Sequence, residues 1–174
     1  QSVGRPRLYS IKGLPKPVST TSLRYLKVAL DIKALKGESF GHIVEIGCGF
    51  GGQAIILDKI GKIDSYTFID LWQVNMLIKR FIENSEFSSK YLTSTLSDAQ
   101  PRRDSWDLFI SNYAFSELPI NLQQKCMNDI ILRSNYGYMI MNSREEGGWG
   151  NREVLISNMT KKDLISAIPN CSSS

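Results

Sequence analysis

The residues with the clearest chemical signature are Glu45-Ile46-Gly47-Cys48-Gly49-Phe50-Gly51-Gly52-Gln53 and, further on, Asp70. Glycines at 47, 49 and 51 let a backbone turn tightly and approach a ligand where any Cβ would collide. Gly47, Gly49 and Gly52 also satisfy the dinucleotide pattern G-x-G-x-x-G, which is weak by itself. Glu45 weighs against a dinucleotide. A carboxylate at the end of a buried strand repels a pyrophosphate and suits a ligand carrying a cationic amine and a sulfonium. Asp70 stands 23 residues after Gly47, placed to accept hydrogen bonds from both ribose hydroxyls of either kind of ligand.

Positioning these residues requires a particular succession of elements. Thr20-Thr21-Ser22 offers N-cap candidates for a helix through Leu23, Leu26, Ala29, Leu30 and Leu35, closed by Gly37. A strand is expected at 42–46, a helix at 51–59, a strand at 66–69 and a helix at 71–84. A weaker strand follows near 91–96 and a firm one at 106–111, then a helix over about 121–134 and a strand at 138–141. Strands alternating with helices of this length predict right-handed crossovers and a doubly wound, mostly parallel α/β sheet with helices on both faces. Ligands of such sheets bind at the carboxyl ends of the strands, near the switch in strand order. Residues 1–20, with Pro6, Pro15, Pro17, Gly4 and Gly13 and neither helical nor strand periodicity, read as an N-terminal arm ahead of one domain over 21–174.

Glu45-Ile-Gly47-x-Gly49-x-Gly51, Phe68-Ile69-Asp70 and Trp106-Asp107-Leu108-Phe109-Ile110-Ser111-Asn112-Tyr113 resemble the successive motifs of class I S-adenosylmethionine-dependent methyltransferases, a Rossmann-like fold. More narrowly, residues 43–53, Tyr-Thr-Phe-Ile-Asp-Leu at 66–71 and Ser-Asn-Tyr-Ala-Phe-Ser-Glu-Leu-Pro at 111–119 resemble a bacterial family of sugar O-methyltransferases. Members of that family often carry proline after the Asp-Leu pair, where this chain has Trp72. The resemblance implies S-adenosyl-L-methionine as cofactor and methyl transfer to a hydroxyl of a sugar or sugar-linked small molecule, with a glycan as a possible acceptor.

The same resemblance assigns roles. Glu45 would sit near the methionine amino group, and the loop Gly47, Cys48, Gly49 and Gly51 under the methionine and ribose. Asp70 and Leu71 would hold the ribose side, and the stretch from Thr95 and Leu96 to Asp98 would border the adenine, although a plain polar loop reads equally well there. Asn112 and Tyr113 would face the methyl group and the acceptor. A sugar hydroxyl is a poor nucleophile at neutral pH, so some group should take its proton. His42, the only histidine, begins the first strand of the sheet at the end away from the site and reads as structural. That leaves carboxylates. Glu117 is the preferred base, with an equal alternative as a helix N-terminal acid or a partner of a nearby amide. Glu145 and Glu146, in a Gly-rich loop with Trp149, are weaker candidates. No metal site is evident. A nucleotide-dependent oxidoreductase and a non-catalytic methyltransferase-like binding module remain as alternatives.

The composition, 42% hydrophobic and 22% charged over 174 residues, is that of an ordinary globular domain. Cys48, Cys126 and Cys171 are too scattered for a disulfide framework, so a reducing, cytoplasmic setting is expected. No apolar run is long enough to span a bilayer, and no membrane partner is expected. The net charge of +4 is unevenly spread: residues 1–36 hold eight basic residues and one acid, Asp31, and the remainder carries 13 basic against 16 acidic. The positive charge therefore belongs to the arm and first helix, read as solvated lysines and not as a nucleic-acid surface. After Met141 only a helix-like stretch at 161–168 precedes the end, so a fragment lacking the last C-terminal strands of the class I sheet is expected.

Overall fold

A computed structural model describes residues 6–98 and 105–141. In chain order the elements are β1 (Leu8–Tyr9), β2 (Val18–Ser19), α1 (Thr20–Lys36), β3 (Ser39–Ile46), α2 (Gly52–Ile60), β4 (Lys62–Ile69) and α3 (Trp72–Glu83). They continue with β5 (Tyr91–Ser94), β6 (Trp106–Asn112), a 3-10 turn at Ala114–Glu117, α4 (Ile120–Asp129), a second 3-10 turn at Ile131–Arg133 and β7 (Ser134–Ile140).

Five strands form one sheet in the order β5-β4-β3-β6-β7, with every neighbouring pair parallel. The chain builds outward from β3 in one direction, then returns to the other side of β3 to lay down β6 and β7. The switch point thus lies between β3 and β6, where the crevice of a doubly wound sheet opens.

Strand alternation divides the apolar residues between two cores. Ile43, Tyr66, Phe68, Leu108 and Ile110 pack with Val28, Ala29 and Ile32 of α1, Ala54 and Leu57 of α2, and Ile78 and Ile82 of α3. On the opposite face Val44, Ile46, Ile69 and Phe109 pack with Phe115 and with Cys126 and Met127 of α4. Helices therefore cover both faces, as the alternation of elements requires.

Helix α1 runs antiparallel to β6 and β7, which can be followed residue by residue. Near its C-terminus Lys36 donates to the Asp107 carbonyl at 3.3 Å and lies 4.7 Å over the Tyr136 ring. Midway, Asp31 accepts from the Tyr138 hydroxyl at 2.8 Å. In its first turns Arg24 lies 5.4 Å from the centre of the Tyr113 ring, just past the end of β6. The helix begins at the carboxyl edge of the sheet and ends at the opposite one.

Several expectations are corrected. The N-cap of α1 is Ser19, whose hydroxyl accepts from the Ser22 amide at 3.1 Å, and not one of Thr20, Thr21 or Ser22. The arm is not free of strand: β1 and β2 pair antiparallel, Leu8 opposite Ser19 and Tyr9 opposite Val18, a pairing too short to leave a period in the sequence. The lysines of α1 are not simply solvated. Lys27 pairs with Asp31, Lys33 with Glu38, and Lys36 reaches β6. α4 ends at Asp129, short of Ser134, and β7 starts at Ser134, ahead of Tyr138. The expected helix at 161–168 lies outside the described residues.

Candidate functional site

The glycine loop leaves β3 at its carboxyl end. The Gly47 amide donates to the Ile69 carbonyl of β4 at 2.9 Å, and at φ 74° any Cβ here would overlap the Ala114 side chain beyond β6. Gly47 is thus required by a close approach between the two halves of the switch. Gly49, at φ 57°, faces open space, with nothing within 4 Å of where a Cβ would stand. The Gly51 amide donates to the Cys48 carbonyl at 3.0 Å and Gly51 opens α2 without any side-chain cap.

Asp70 holds this loop in place. Its carboxylate accepts from the Gly49 amide at 3.2 Å and from the Leu71 amide at 2.8 Å, so Gly49, Asp70 and Leu71 form one connected edge. Asn75, which the sequence reading passed over, secures that edge from α3: its amide nitrogen donates to the carbonyls of Asp70 at 3.2 Å and Ser94 at 2.8 Å. Leu71 itself is exposed.

Glu45 lies beneath the loop, only 2% exposed. The hydroxyl of Tyr66, itself fully buried, donates to its Oε2 at 2.8 Å. Burial pushes the Glu45 carboxyl up to about 8; the Tyr66 hydrogen bond opposes this shift and the nearby Asp70 charge adds to it. Glu45 is therefore largely protonated at neutral pH. The standing anion expected from the sequence is instead a carboxyl that burial holds in its protonated form. Cys48 turns its side chain inward, its thiol donating to the carbonyls of Glu45 at 3.1 Å and Ile69 at 3.6 Å. Burial raises that thiol well above its ordinary value, so Cys48 presents no reactive sulfur.

Across the switch, Ser111 joins the two halves. Its hydroxyl donates to the Ile46 carbonyl of β3 at 3.3 Å and accepts from the Phe115 amide at 3.1 Å. Beside it, both amide atoms of Asn112 are buried and have no hydrogen-bond partner. A buried amide left unsatisfied costs on the order of 1–3 kcal/mol, and a polar ligand at the strand ends would recover that. Tyr113 has φ 72°, the only left-handed non-glycine residue among those described, and is held there by its amide on the Ile140 carbonyl at 2.7 Å. Backbone strain of this kind is maintained only where the surroundings impose it.

Glu117 is the last residue of the 3-10 turn after β6, exposed, and it precedes the first turn of α4 instead of lying within it. Thr95 spends its hydroxyl within its own turn, donating to Asp98 Oδ2 at 2.6 Å and accepting from the Asp98 amide at 3.2 Å. Leu96 packs toward the α4-side core. His42 is structural: its ring bonds Ser65 at 2.9 Å and its amide donates to Asp107 at 2.7 Å, away from the carboxyl edge. Glu145, Glu146 and Trp149 lie outside the described residues. Among the described residues no cluster of metal-ligating side chains occurs, and no helix is long and apolar enough to cross a membrane.

A groove of about 510 Å³ lies between the arm, α1, α2 and the end of α3, lined by Phe50 and Gly52 of the glycine loop together with Tyr25, Ile56 and Phe81. It runs behind the glycine loop, on the helix side, and does not include the carboxyl ends of β4, β5 or β6.

No family model and no curated protein matches the chain. Solved structures do. An S-adenosylmethionine-dependent methyltransferase from Clostridium acetobutylicum superposes with a TM-score of 0.56 at 12% identity, over 72% of this chain and 52% of that one. The PH0226 protein from Pyrococcus horikoshii gives a TM-score of 0.57 at 12% identity, over 72% and 58%. The methyltransferase domain of a bacterial Hen1 gives 0.50 at 20% identity, over 63% and 60%. The chain spans about half to three-fifths of the length of these structures. The fold is thus the Rossmann-like fold of class I methyltransferases.

Proposed function

We propose that the protein is an S-adenosyl-L-methionine-dependent methyltransferase that methylates a hydroxyl of a sugar or sugar-linked small molecule. The observation that carries this reading is the pair of lips at the switch point: a glycine loop clipped open by Asp70 on one side, and the unpartnered buried amide of Asn112 on the other. Glu45 supports the choice of cofactor, because a buried carboxyl poised to ionise against a cation fits a methionine ammonium better than a pyrophosphate. The open space over Gly49 accommodates a ribose, and Asp70 retains acceptor capacity beyond its two backbone bonds.

When bound, the cofactor would supply an activated methyl group. The residues of this chain would hold the acceptor oxygen in line with it, and such positioning is worth several kcal/mol of barrier. Asn112 would orient donor or acceptor through its free amide. Tyr113, held in its strained conformation, would border the acceptor, with Glu117 as the carboxylate that takes the hydroxyl proton. The resemblance of the 111–119 stretch to sugar O-methyltransferases supports the acceptor class. Calorimetry with S-adenosylmethionine, S-adenosylhomocysteine and NAD tests the cofactor: binding of NAD alone would overturn the reading. Mass spectrometry of methyl transfer to glycans and nucleotide sugars tests the acceptor.

A further inference from the structure

The switch crevice is electrostatically lopsided. Asp70 lines the β3–β4 side, where the proposed cofactor lies, with the buried Glu45 carboxyl beneath the loop. On the β6 side stands a cation, Arg24, brought to the carboxyl edge by the antiparallel course of α1. Its guanidinium lies 5.5 Å from the centre of the Tyr25 ring and 5.4 Å from that of Tyr113, held between two aromatic faces. Among the described residues no carboxylate forms an ion pair with it. The only acid of α1, Asp31, is occupied by Lys27 and by the Tyr138 hydroxyl. Arg24 is therefore an exposed, oriented guanidinium beside the strained Tyr113 and one residue further from the unpartnered Asn112 amide.

We infer that Arg24 determines acceptor specificity by receiving a carboxylate or phosphate, so that the acceptor is an anionic hydroxy compound such as a sugar acid or sugar phosphate. The inference rests on the methyltransferase reading and deepens it. A planar guanidinium set over the Tyr113 ring and hydrogen-bonded to the neighbouring Tyr25 still has further N–H donors among its five with which to grip a carboxylate or a phosphate at two points, which a lysine in the same place would not do. Two ligands can then share the crevice without repulsion. The cationic end of the cofactor faces Glu45, and the anionic end of the acceptor faces Arg24.

The test uses the whole chain saturated with S-adenosylhomocysteine and titrated with glucose 6-phosphate, glucuronate and neutral glucose, following the Arg24 Nε–H resonance and binding heat. The two anions are expected to bind the wild type at least about tenfold more tightly than glucose, as suits a charge-assisted two-point contact. Arg24→Gln should remove this preference and Arg24→Lys should restore only part of it, while affinity for S-adenosylhomocysteine stays within about threefold, since a residue facing the acceptor makes no contact with the cofactor. Equal binding of glucose and its phosphate by the wild type would overturn the inference, as would an unchanged preference in Arg24→Gln. A tenfold loss of S-adenosylhomocysteine affinity in Arg24→Gln would also overturn it, assigning Arg24 to the cofactor carboxylate. Failure of the wild type to bind S-adenosylhomocysteine at all would instead overturn the proposed function.

Discussion

Replacing Glu45 by Gln isolates the energetic consequence of burying a carboxyl under the glycine loop. Gln keeps the shape and still accepts from the Tyr66 hydroxyl, but it has no proton to lose. In the folded protein the Glu45 carboxyl titrates at about 8, against an ordinary value of 4.5 when the chain is unfolded. A raised carboxyl pKa means that the folded state binds the proton more tightly. Its stabilising contribution is therefore fully present below pH 4.5, and is lost progressively as pH rises through 8. Between pH 5 and pH 7.5 this single group should withdraw about 3 kcal/mol from the wild type and nothing from Glu45→Gln. Urea unfolding of both proteins across that range measures it. The stability difference, variant minus wild type, should widen with pH by roughly that amount, a large share of a typical domain's total. A difference constant to within about 0.5 kcal/mol over the range would refute the reasoning, because Glu45 would then ionise normally while buried.

A ligand that brings a cation to Glu45 should discharge its proton: at pH 7, calorimetry of S-adenosylmethionine binding in buffers of different ionisation enthalpy should report release of about 0.9 proton by the wild type and almost none by Glu45→Gln. Asp70→Ala removes the acceptor for two backbone amides of the loop, and should weaken S-adenosylhomocysteine at least about tenfold while costing only about 1 kcal/mol of stability, because those amides can turn to water. The glycine loop offers a contrast between neighbours. Gly47→Ala should destabilise the fold by at least about 2 kcal/mol in urea unfolding, since its Cβ would meet Ala114, whereas Gly49→Ala should cost about 1 kcal/mol of backbone strain. Gly49→Ala should nevertheless impair S-adenosylhomocysteine binding in calorimetry, as its methyl group would stand in the space left for the ligand.

What was legible in the sequence was what is local. The glycine spacing after Glu45 and the position of Asp70 require only a strand, a turn and a helix in succession, and the structure connects Gly49 and Asp70 directly. The parallel sheet was legible for the same reason, because alternating elements leave few ways to connect. The end of α4 was not: Ile130-Ile131-Leu132 continues the apolar run, and only the burial of Ile130 and Ile131, with Ser134 donating to the Ile130 carbonyl, breaks the helix into a 3-10 turn. The cap of α1 was equally ambiguous, four successive hydroxyl residues being available until the β1–β2 pairing set Ser19 in extended backbone. Arg24, Tyr66 and Asn75 escaped notice because each acts on a residue of another element, and no spacing along the chain records that.

The antiparallel course of α1 also bears on the order in which the molecule assembles. Two of the contacts that seat this helix join residues 71 and 107 positions apart, Lys36 with Asp107 and Asp31 with Tyr138, whereas Lys33 reaches the Ile60 carbonyl only 27 positions away. During synthesis α1 can dock early on α2, through Lys33 on the Ile60 carbonyl and the Gln53 side chain on the Tyr25 carbonyl, but its contacts with β6 and β7 form only once those strands have been made. The proposed cofactor half of the crevice can begin to take shape while the ribosome is still working, and the proposed acceptor half closes last, when β6 and β7 reach a helix already waiting for them.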